Sequence, residues 1–460
     1  MKGLIIASNG SGGGKTTFTM GLLKALVNRE EKVQSYKVGP DYIDPAFHSM
    51  ITSEPCRNLD LYLMGEKGVK YSIAKGNKDY AIIEGVMGLY DGKGIDEKYS
   101  TYHLSETLGL PILLVLSPKG VSTTICAEIM GLKQFRNADI AGVVLNGISE
   151  SYYKLLKLSI EKNCGIDVLG YIPKDDRLKL GSRHLGLIQS SEIEDIQEKI
   201  ALSGELVEKY VDVDALMSIS KECKEYDVEY DFSELEGLDL KIGVALDKAF
   251  SFYYKDNLDI LERAGEIHYF SPLKDKSLPK DIDFLYIGGG YPEVFRSELS
   301  SNVELLNDIN KKLEDGLPCY AECGGLMYLT QGIDSKEIKE FEDTQQTYSL
   351  VSFFTGKSYM TKRLRNFGYA TVEVEDESPM HKNNLRINCH EFHRSFVDLQ
   401  EETSYEVEKV NIYGELKKWK CGYVKKNTLG AYAHIHFLGN EKFIIEILKE
   451  AKERKAKIKE

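Results

Sequence analysis

Two short segments, far apart in the sequence, combine residue types that could do chemistry. The first, residues 10–17, reads Gly-Ser-Gly-Gly-Gly-Lys-Thr-Thr and follows an apolar run at residues 4–7. Glycines let successive backbone N–H groups turn toward phosphate oxygens, and the helix that follows adds its positive N-terminal end. The segment therefore predicts a phosphate loop. The residues expected to contact a nucleotide are Gly12, Gly13, Gly14, Lys15, Thr16 and Thr17.

One position departs from the strict phosphate-loop pattern, because Asn9 stands where the first glycine belongs. A glycine-rich turn that binds nothing is the alternative interpretation. The Gly-Lys-Thr-Thr sequence between a predicted strand and a predicted helix favours the nucleotide site. In that site Lys15 would reach the β- and γ-phosphates of ATP, and the Thr16 hydroxyl would face Mg²⁺.

Acidic residues that could complete a magnesium site follow the predicted strands. Glu84 ends an apolar run, Asp41 and Asp44 follow another, and Asp91 lies in a later loop. Mg²⁺ prefers oxygen ligands, and the carboxyl ends of parallel strands share one edge of a sheet. Each acid alone could be a turn former or a helix cap. Their common location predicts Thr16, Glu84 and Asp41 as metal ligands, and Asp44 and Asp91 as substrate contacts.

The second segment, residues 321–325, reads Ala-Glu-Cys-Gly-Gly and predicts a strand, a tight turn and a helix. A thiol attacks a carboxamide as a thiolate, so Cys323 needs a base, and His434 is the candidate. An inert buried thiol and a core histidine are the alternatives. The oxyanion of such a reaction needs N–H donors. The predicted donors are Gly289, Gly290 and Gly324.

Three further histidines leave their roles open at this point. His436 follows His434 by two residues, and both a relay partner and a packing residue fit that position. His390 and His393 lie three apart, near the spacing of one helical face. Metal binding by that pair lacks support, and substrate contact or packing is favoured.

The length, composition and charge of the chain limit the classes of protein to which it can belong. The chain has 460 residues, 42% of them hydrophobic, which predicts two or three domains. A net charge of −13 argues against nucleic acid or an anionic membrane as the main partner. No apolar run approaches the roughly 18 residues of a membrane span, and the N-terminus does not resemble a signal peptide. The eight cysteines are scattered without a CxxC pair, which predicts a reduced, cytoplasmic protein.

Apolar runs alternate with helical stretches twice along the chain. Continuous apolar strands separated by helices predict parallel sheets covered on both faces, the doubly wound α/β arrangement. A charged stretch divides the two series and reads as a connector. The predicted division is an ATP-binding domain at residues 1–195, a linker at 196–237, a second α/β domain at 238–448 and a charged tail at 449–460.

Few chemistries need a nucleotide and a thiol nucleophile in one polypeptide. ATP-driven amide formation with ammonia cut from glutamine is one of them. A different class also fits a phosphate loop of this kind: ATP-dependent switch proteins that move cargo or insert metals without amidation. A third alternative is a glutamine-dependent ligase acting on a small acid or a nucleotide.

Six segments together carry a resemblance to a known family. They are residues 37–45, 182–187, 288–293, 321–329, 390–393 and 432–437. With these motifs the chain resembles the cobyrinate a,c-diamide synthases over residues 1–440. The nickel-sirohydrochlorin and hydrogenobyrinate a,c-diamide synthases share the motifs, so the sequence leaves the choice among these substrates open.

The resemblance implies a dethiobiotin-synthetase-like P-loop domain followed by a class I glutamine amidotransferase domain. It implies that ATP activates a substrate carboxylate as an acyl phosphate, with Mg²⁺, and that Cys323 and His434 release ammonia from glutamine. Two amidations are implied, on the a and c side chains. Many class I amidotransferases place a glutamate two residues after the histidine. Here that position is His436, so the group that orients His434 is unknown.

The implied substrate is a tetrapyrrole polycarboxylate, which needs cationic contacts. Lys37, Arg183 and His184 are the candidates, with Tyr42 as a platform for the ring. We hypothesise an enclosed ammonia passage between the domains. The oligomeric state stays open, and a homodimer is one alternative.

Overall fold

The chain forms two compact units in a computed structural model that describes residues 1–178, 192–336, 347–374, 380–381 and 384–459. The first unit comprises Met1–Leu61 and Gly65–Val228, and the second comprises Tyr62–Met64 and Glu229–Glu460. None of the helices in the described ranges combines the length and apolar character of a membrane span.

The first unit is built on a parallel sheet. Its strands are β1 (Lys2–Ala7), β2 (Val33–Val38), β3 (Arg57–Leu59), β4 (Tyr80–Glu84), β5 (Ile112–Leu116), β6 (Ile140–Ile148), β7 (Val168–Pro173) and β8 (Lys221–Glu222). They lie in the order β3-β2-β4-β1-β5-β6-β7, and β8 pairs antiparallel with β1. Apolar, buried runs fill β5, residues 4–7 of β1 and residues 81–83 of β4, as a sheet covered on both faces requires. The predicted doubly wound α/β fold is confirmed.

Helices separate most of these strands in the chain. They are α1 (Lys15–Asn28), α2 (Asp44–Thr52), α3 (Gly65–Ala74), α4 (Thr101–Leu108), α5 (Thr124–Phe135), α6 (Glu150–Cys164), α7 (Glu192–Tyr210) and α8 (Val213–Ser218). Side-chain caps fix three of their starts: Ser100 accepts from the backbone N–H of His103, Ser149 from that of Tyr152, and Asp212 from that of Ala215. The helix α1 begins at Lys15, so the phosphate loop lies between β1 and α1.

The first unit extends beyond the predicted boundary at residue 195. The stretch 196–237, expected to be a linker, begins inside α7. Ile196, Ile200 and Val207 are buried in one apolar cluster with Phe18 and Leu22 of α1. The charged residues of α7 suggested a connector, whereas its apolar positions follow the helical spacing that packs one face.

The second unit is built on a mixed sheet. The strands of this unit are β9 (Leu240–Ala245), β10 (Phe250–Phe252), β11 (Gly265–Phe270), β12 (Phe284–Ile287), β13 (Gly289–Gly290), β14 (Cys319–Glu322), β15 (Gly332–Asp334), β16 (Thr347–Ser349), β17 (Gly356–Val374), β18 (Leu385–Leu399), β19 (Thr403–Val410), β20 (Leu416–Lys425), β21 (Thr428–Ala431) and β22 (His434–Ile435). β10 and β13 pair with each other in a separate two-stranded sheet, and the other strands form the mixed sheet. The strands β11, β9, β12, β14 and β21 are mutually parallel, which confirms the predicted second α/β domain. The antiparallel strands β17–β20 extend the sheet, and β18 also pairs with β22.

The helices of the second unit are α9 (Lys255–Ala264), α10 (Arg296–Ser301), α11 (Val303–Glu314), α12 (Gly324–Leu329) and α13 (Glu441–Lys459). The predicted tail at 449–460 is therefore no separate segment, because α13 runs across residue 449 without a break. Ile447, Leu448 and Ala451 are buried on its inner face. Ala451 lies in the segment predicted as a charged tail, so that segment packs on the unit at this residue.

Candidate active site

The phosphate loop adopts a conformation that only glycine tolerates at its last position before the lysine. Gly14 has φ of 90°, and a Cβ atom there would lie 2.1 Å from Nδ2 of Asn146. The left-handed backbone and the close approach both exclude a side chain. The geometry explains why the loop keeps Gly14 directly before Lys15.

Lys15 is held over this loop by two carbonyl groups. Its Nζ donates to the carbonyl oxygen of Gly10 at 3.0 Å and to that of Met87 at 2.5 Å. Burial, and then the positive charge of Lys37, lower the pKa of Lys15 to about 8. An ammonium in this setting gains from a nearby anion, which suits a phosphate group.

Thr16 and Glu84 bring oxygen atoms together beside the loop. The Thr16 hydroxyl donates to Oε1 of Glu84 at 2.7 Å and lies 3.3 Å from Oδ2 of Asp44. Glu84 is fully buried at the end of β4. Within the described ranges, no three His, Cys, Asp or Glu side chains are arranged as a metal cage. The oxygen set fits Mg²⁺ all the same, because this ion is usually held by one or two carboxylates together with substrate phosphates.

Asp41 closes a turn next to this oxygen set. Its Oδ1 accepts from the backbone N–H of Ile43 at 2.8 Å and from that of Asp44 at 3.2 Å. Burial and the neighbouring Asp44 carboxylate raise the pKa of Asp41. The turn-forming role that the sequence analysis weighed as an alternative is therefore present, and Asp41 also lies beside the proposed metal ligands.

Lys37 is buried within this acidic group. Its Nζ lies 3.0 Å from Asp44 Oδ2, 3.2 Å from Glu84 Oε1 and 3.9 Å from Asp41 Oδ2. Although burial opposes it, these carboxylates hold the pKa of Lys37 above its ordinary value. Lys37 is one of the predicted cationic contacts of the macrocycle. In the structure its charge instead neutralises the acids beside the phosphate loop.

His48 is a site residue that the sequence analysis missed. Its Nε2 lies 2.8 Å from Glu84 Oε2, and its Nδ1 lies 3.5 Å from the sulfur of Cys56. Burial opposes protonation, but Cys56 and Glu84 together raise the pKa of His48 to about 10. One feature of the sequence could have indicated this role: His48 follows Asp44 by four residues, the spacing that places two side chains on the same face of a helix.

The structure describes two of the four other predicted substrate contacts, Asp91 and Tyr42. Asp91 Oδ2 accepts from the backbone N–H of Gly88 at 2.8 Å, so it stabilises the loop after β4. Tyr42 is half-buried in the loop between β2 and α2. Arg183 and His184 lie outside the described residues.

Cys323 occupies a sharp turn between β14 and α12 in the second unit. Its φ of 48° lies in a region that residues other than glycine rarely adopt, a strain of roughly 1–3 kcal/mol. Its backbone N–H donates to the carbonyl of Ala431 at 2.7 Å. Burial, and then the charges of Glu293 and Glu391, raise the pKa of the Cys323 thiol. A thiolate at neutral pH therefore requires a base.

His434 and the predicted oxyanion-hole glycines lie in one neighbourhood with this turn. A Cβ on Gly289 would lie 2.5 Å from Cε1 of His434, so the ring packs on that backbone. A Cβ on Gly324 would lie 3.0 Å from the backbone nitrogen of Gly290. The fold thus brings the thiol-bearing turn, the histidine and the glycine pair of β13 together.

A buried carboxylate completes this neighbourhood. Oε2 of Glu322, the residue before Cys323, lies 3.6 Å from Nδ1 of His434. Glu322 belongs to the 321–325 motif, but the sequence predicts no role for it. Only the register of β14 against β21, which pairs Glu322 with Ala431, places it near the histidine.

His390 and His393 lie on the strand β18 rather than on a helix. Nε2 of His393 lies 2.9 Å from Glu391 Oε2, and its ring stacks on Tyr432 at 3.8 Å. Burial, and then the nearby His434, lower the pKa of His390 to about 3, so that ring stays neutral. These contacts favour packing around the thiol site, one of the two roles, with substrate contact, that the sequence favours over metal binding.

His436 has a backbone hydrogen bond and a ring contact in the second unit. Its Nδ1 accepts from the backbone N–H of Leu438 at 3.4 Å, and its ring centroid lies 4.7 Å from that of Tyr254. Of the two roles left open from sequence, the structure favours the packing residue.

Comparison with known families assigns a domain type to each unit. Residues 4–188 match the CobQ/CobB/MinD/ParA nucleotide binding domain. Residues 241–442 match the CobB/CobQ-like glutamine amidotransferase domain. Both matches agree with the fold of the unit in which they lie.

Three curated relatives align with nearly the whole chain, and each bears the name cobyrinate a,c-diamide synthase. The protein of Clostridium tetani is 58% identical over 450 residues, which cover 98% of this chain and all of the relative. That of Clostridium acetobutylicum is 55% identical over 452 residues with the same coverage. That of Streptococcus sanguinis is 40% identical over 461 residues, again covering 98% of this chain and all of the relative.

Proposed function

Because the chain belongs to the family of cobyrinate a,c-diamide synthases, we propose that it amidates the a and c acetate side chains of cobyrinate. ATP supplies the energy and glutamine supplies the ammonia. The observation that carries the proposal is a relative of 58% identity aligned from end to end, with a nucleotide domain and an amidotransferase domain in one chain. The cysteine composition supports a cytoplasmic setting.

The first unit activates the substrate acid. A carboxylate is a poor electrophile, so its oxygen attacks the γ-phosphoryl group of ATP, which releases ADP and forms an acyl phosphate. Ammonia then attacks the acyl carbon, and inorganic phosphate leaves. Such transfer depends on positioning and charge neutralisation. The backbone amides of Gly12, Gly13 and Gly14, with Thr17 at the start of α1, hold the phosphates. Lys15 places its ammonium against their outer oxygens.

Mg²⁺ would be held by Thr16 and Glu84, with Asp41 beside them. When bound, the ion neutralises charge on the phosphate oxygens. Support comes from the 2.7 Å contact between Thr16 Oγ1 and Glu84 Oε1. Lys37 also contacts Oε1 of Glu84, and His48 contacts Oε2, so the carboxylate is oriented before any ligand arrives.

The second unit releases ammonia. The Cys323 sulfur attacks the carboxamide carbon of glutamine while His434 takes the thiol proton. The same proton passes to the nitrogen as the C–N bond breaks, which leaves a thioester and ammonia. Water hydrolyses the thioester to glutamate and regenerates the thiol. The backbone amides of Gly289, Gly290 and Gly324 face the oxyanion that forms in each step.

The macrocycle is placed at the carboxyl ends of the strands in the first unit. Tyr42, Asp44 and Asp91 lie in the segments that follow β2 and β4. Arg183 and His184 are proposed as its cationic contacts, on the sequence alone. Arg183→Ala should raise KM for the tetrapyrrole and leave glutamine hydrolysis unchanged, and an unchanged KM would remove Arg183 from the site.

The experiment that tests the function reads product mass. The protein is incubated with ATP, Mg²⁺ and glutamine, and with cobyrinate, hydrogenobyrinate or nickel-sirohydrochlorin in turn. Each amidation exchanges a hydroxyl for an amino group, so the mass gives the substrate and the number of amidations together. Twofold amidation of cobyrinate is expected. ATP hydrolysis without amidation of any of the three would favour the switch-protein alternative.

Substitution of the thiol tests the source of nitrogen. Cys323→Ser should abolish glutamine-dependent amidation and preserve amidation with ammonium salts. Cys319→Ser is the matched control, because Cys319 is a buried thiol on β14, the strand that leads to Cys323. Equal activity of the Cys323→Ser variant and the parent protein with glutamine would contradict the proposed glutaminase.

A further inference from the structure

Glu322 is a buried carboxylate that the mechanism above does not use. It is the last residue of β14, directly before Cys323, and is 2% exposed. Burying a charge costs several kcal/mol unless hydrogen bonds and charges compensate it. Packing alone therefore does not account for a glutamate at this place.

Three donors hold the Glu322 carboxylate in one orientation. Oε1 accepts from the Tyr320 hydroxyl at 2.8 Å and from the backbone N–H of Ile435 at 3.3 Å. Oε2 accepts from the Tyr286 hydroxyl at 3.1 Å. Burial, and then the charge of Glu322, raise the pKa of both tyrosines, so both hydroxyls keep their protons and donate. All three donors are neutral groups, two hydroxyls and one backbone amide.

Oε2 also faces the imidazole of His434. Its distance of 3.6 Å from Nδ1 is an electrostatic contact, slightly longer than a hydrogen bond. Catalytic hydrogen bonds are often long without substrate and shorten in the complex. A carboxylate at Nδ1 favours the tautomer whose Nε2 can accept a proton, and it stabilises the imidazolium that results.

We propose that Glu322 is the positioning residue that orients His434 for proton transfer from Cys323. The proposal rests on the glutaminase role assigned above to those two residues. It places the orienting carboxylate one residue before the thiol instead of two residues after the histidine. His436 occupies the latter position and packs on Tyr254.

Glu391 is another carboxylate near the thiol, and it is held by rings other than that of His434. Its Oε2 lies 2.9 Å from Nε2 of His393, and its Oε1 accepts from Nε1 of Trp419 at 3.1 Å. Both oxygens of Glu391 thus have ring partners other than His434. By contrast, Oε2 of Glu322 faces the ring of His434, the proposed base.

The test is Glu322→Gln in the full-length protein. Glutamine keeps the size of the side chain and an oxygen for the tyrosine hydroxyls, but it removes the charge at Nδ1. For glutamine-dependent amidation, kcat should fall by about 10²- to 10⁴-fold with KM for glutamine unchanged. Alkylation of Cys323 by iodoacetamide at neutral pH should slow as well. Ammonia-dependent amidation should equal that of the parent protein.

Tyr320→Phe is the matched control, because it removes a donor to Oε1 without touching the oxygen that faces His434. Its kcat should stay within about tenfold of the parent. An equal loss in both variants would overturn the proposal, as would full activity of Glu322→Gln. Should Glu322→Gln also lose ammonia-dependent activity, Glu322→Asp decides, because it retains the charge. If Glu322→Asp retains more glutamine-dependent activity than Glu322→Gln, the proposal is supported. If the two variants lose that activity equally, the proposal is overturned.

Cys323→Ala separates this proposal from the function on which it rests. If Cys323→Ala retains glutamine-dependent amidation, the proposed glutaminase itself fails. If Cys323→Ala abolishes that activity while Glu322→Gln leaves kcat unchanged, only the positioning role is overturned.

Discussion

Nζ of Lys37 lies 3.2 Å from Oε1 of Glu84, and the two residues are Cα partners on the neighbouring strands β2 and β4. Both side chains are buried beside the phosphate loop. A charge removed from water is stabilised when its partner is fixed in good geometry. The parallel register supplies that geometry, so the sheet itself sets the position of the proposed magnesium ligand.

Lys37→Met should destabilise the first unit by about 3–5 kcal/mol, because it leaves buried carboxylates without their cation. Urea unfolding of the protein without ligands measures the loss. The control is Lys154→Met, which breaks the exposed pair between Lys154 and Glu150 on α6 and should change stability little. Equal stability of the two variants would contradict the account of Lys37.

Glu84→Gln should separate the two half-reactions. Amidation driven by ATP with ammonium salts should fall by about 10²-fold or more, because an amide neutralises Mg²⁺ less well than a carboxylate. Alkylation of Cys323 by iodoacetamide should proceed at the parent rate. Glu66→Gln on the exposed face of α3 is the control for a general loss of charge. Undiminished ammonia-dependent amidation in Glu84→Gln would remove Glu84 from the metal site.

Gly289→Ala should disable the glutaminase alone. The added Cβ would lie 2.5 Å from Cε1 of His434, so the imidazole must move. A displacement of about 1 Å can cost about 10²-fold in rate. Initial rates with glutamine and with ammonium salts measure the two activities. The control is Gly131→Ala on α5, where a Cβ meets no atom within 4 Å. Equal rates with glutamine in the two variants would show that the ring does not need its present place.

The parallel strands and both reactive turns could be predicted from sequence, because each leaves a local signal. The run at residues 112–116 is apolar throughout and became β5. The backbone demands at Gly14 and Cys323 are likewise local: a left-handed loop before Lys15 and a sharp turn between a strand and a helix. Such features are specified by neighbours in the chain and need no knowledge of the sheet.

Relationships across the sheet could not be predicted in the same way. The contact of Glu322 with His434 depends on how β14 registers against β21, and one sequence does not specify that register. The strands β17 and β18 also went unpredicted, because their exposed faces carry charged residues such as Arg365 and Arg394 that interrupt any apolar run. His48 could not be predicted as a site residue, because only the fold brings α2 against the end of β4.

Glu293 gives the second unit a pH-dependent stability. The side chain is 7% exposed, and burial raises its pKa from 4.5 to about 7, against a weaker opposing effect of Arg296. The folded state therefore binds a proton more tightly than the unfolded state. The resulting stabilisation is fully present below about pH 4.5 and is lost as pH rises through about 7. The full change is about 3 kcal/mol.

Glu293→Gln should remove this dependence, because glutamine mimics the protonated acid at every pH. Relative to the parent, the variant should gain up to about 3 kcal/mol of unfolding free energy at pH 8 and little at pH 5. The fluorescence of Trp419, the only tryptophan of the chain, reports urea unfolding of this unit. Glu298→Gln on α10 is exposed and should shift neither value. A difference between Glu293→Gln and the parent that is the same at both pH values would show that Glu293 stays ionised in the folded protein.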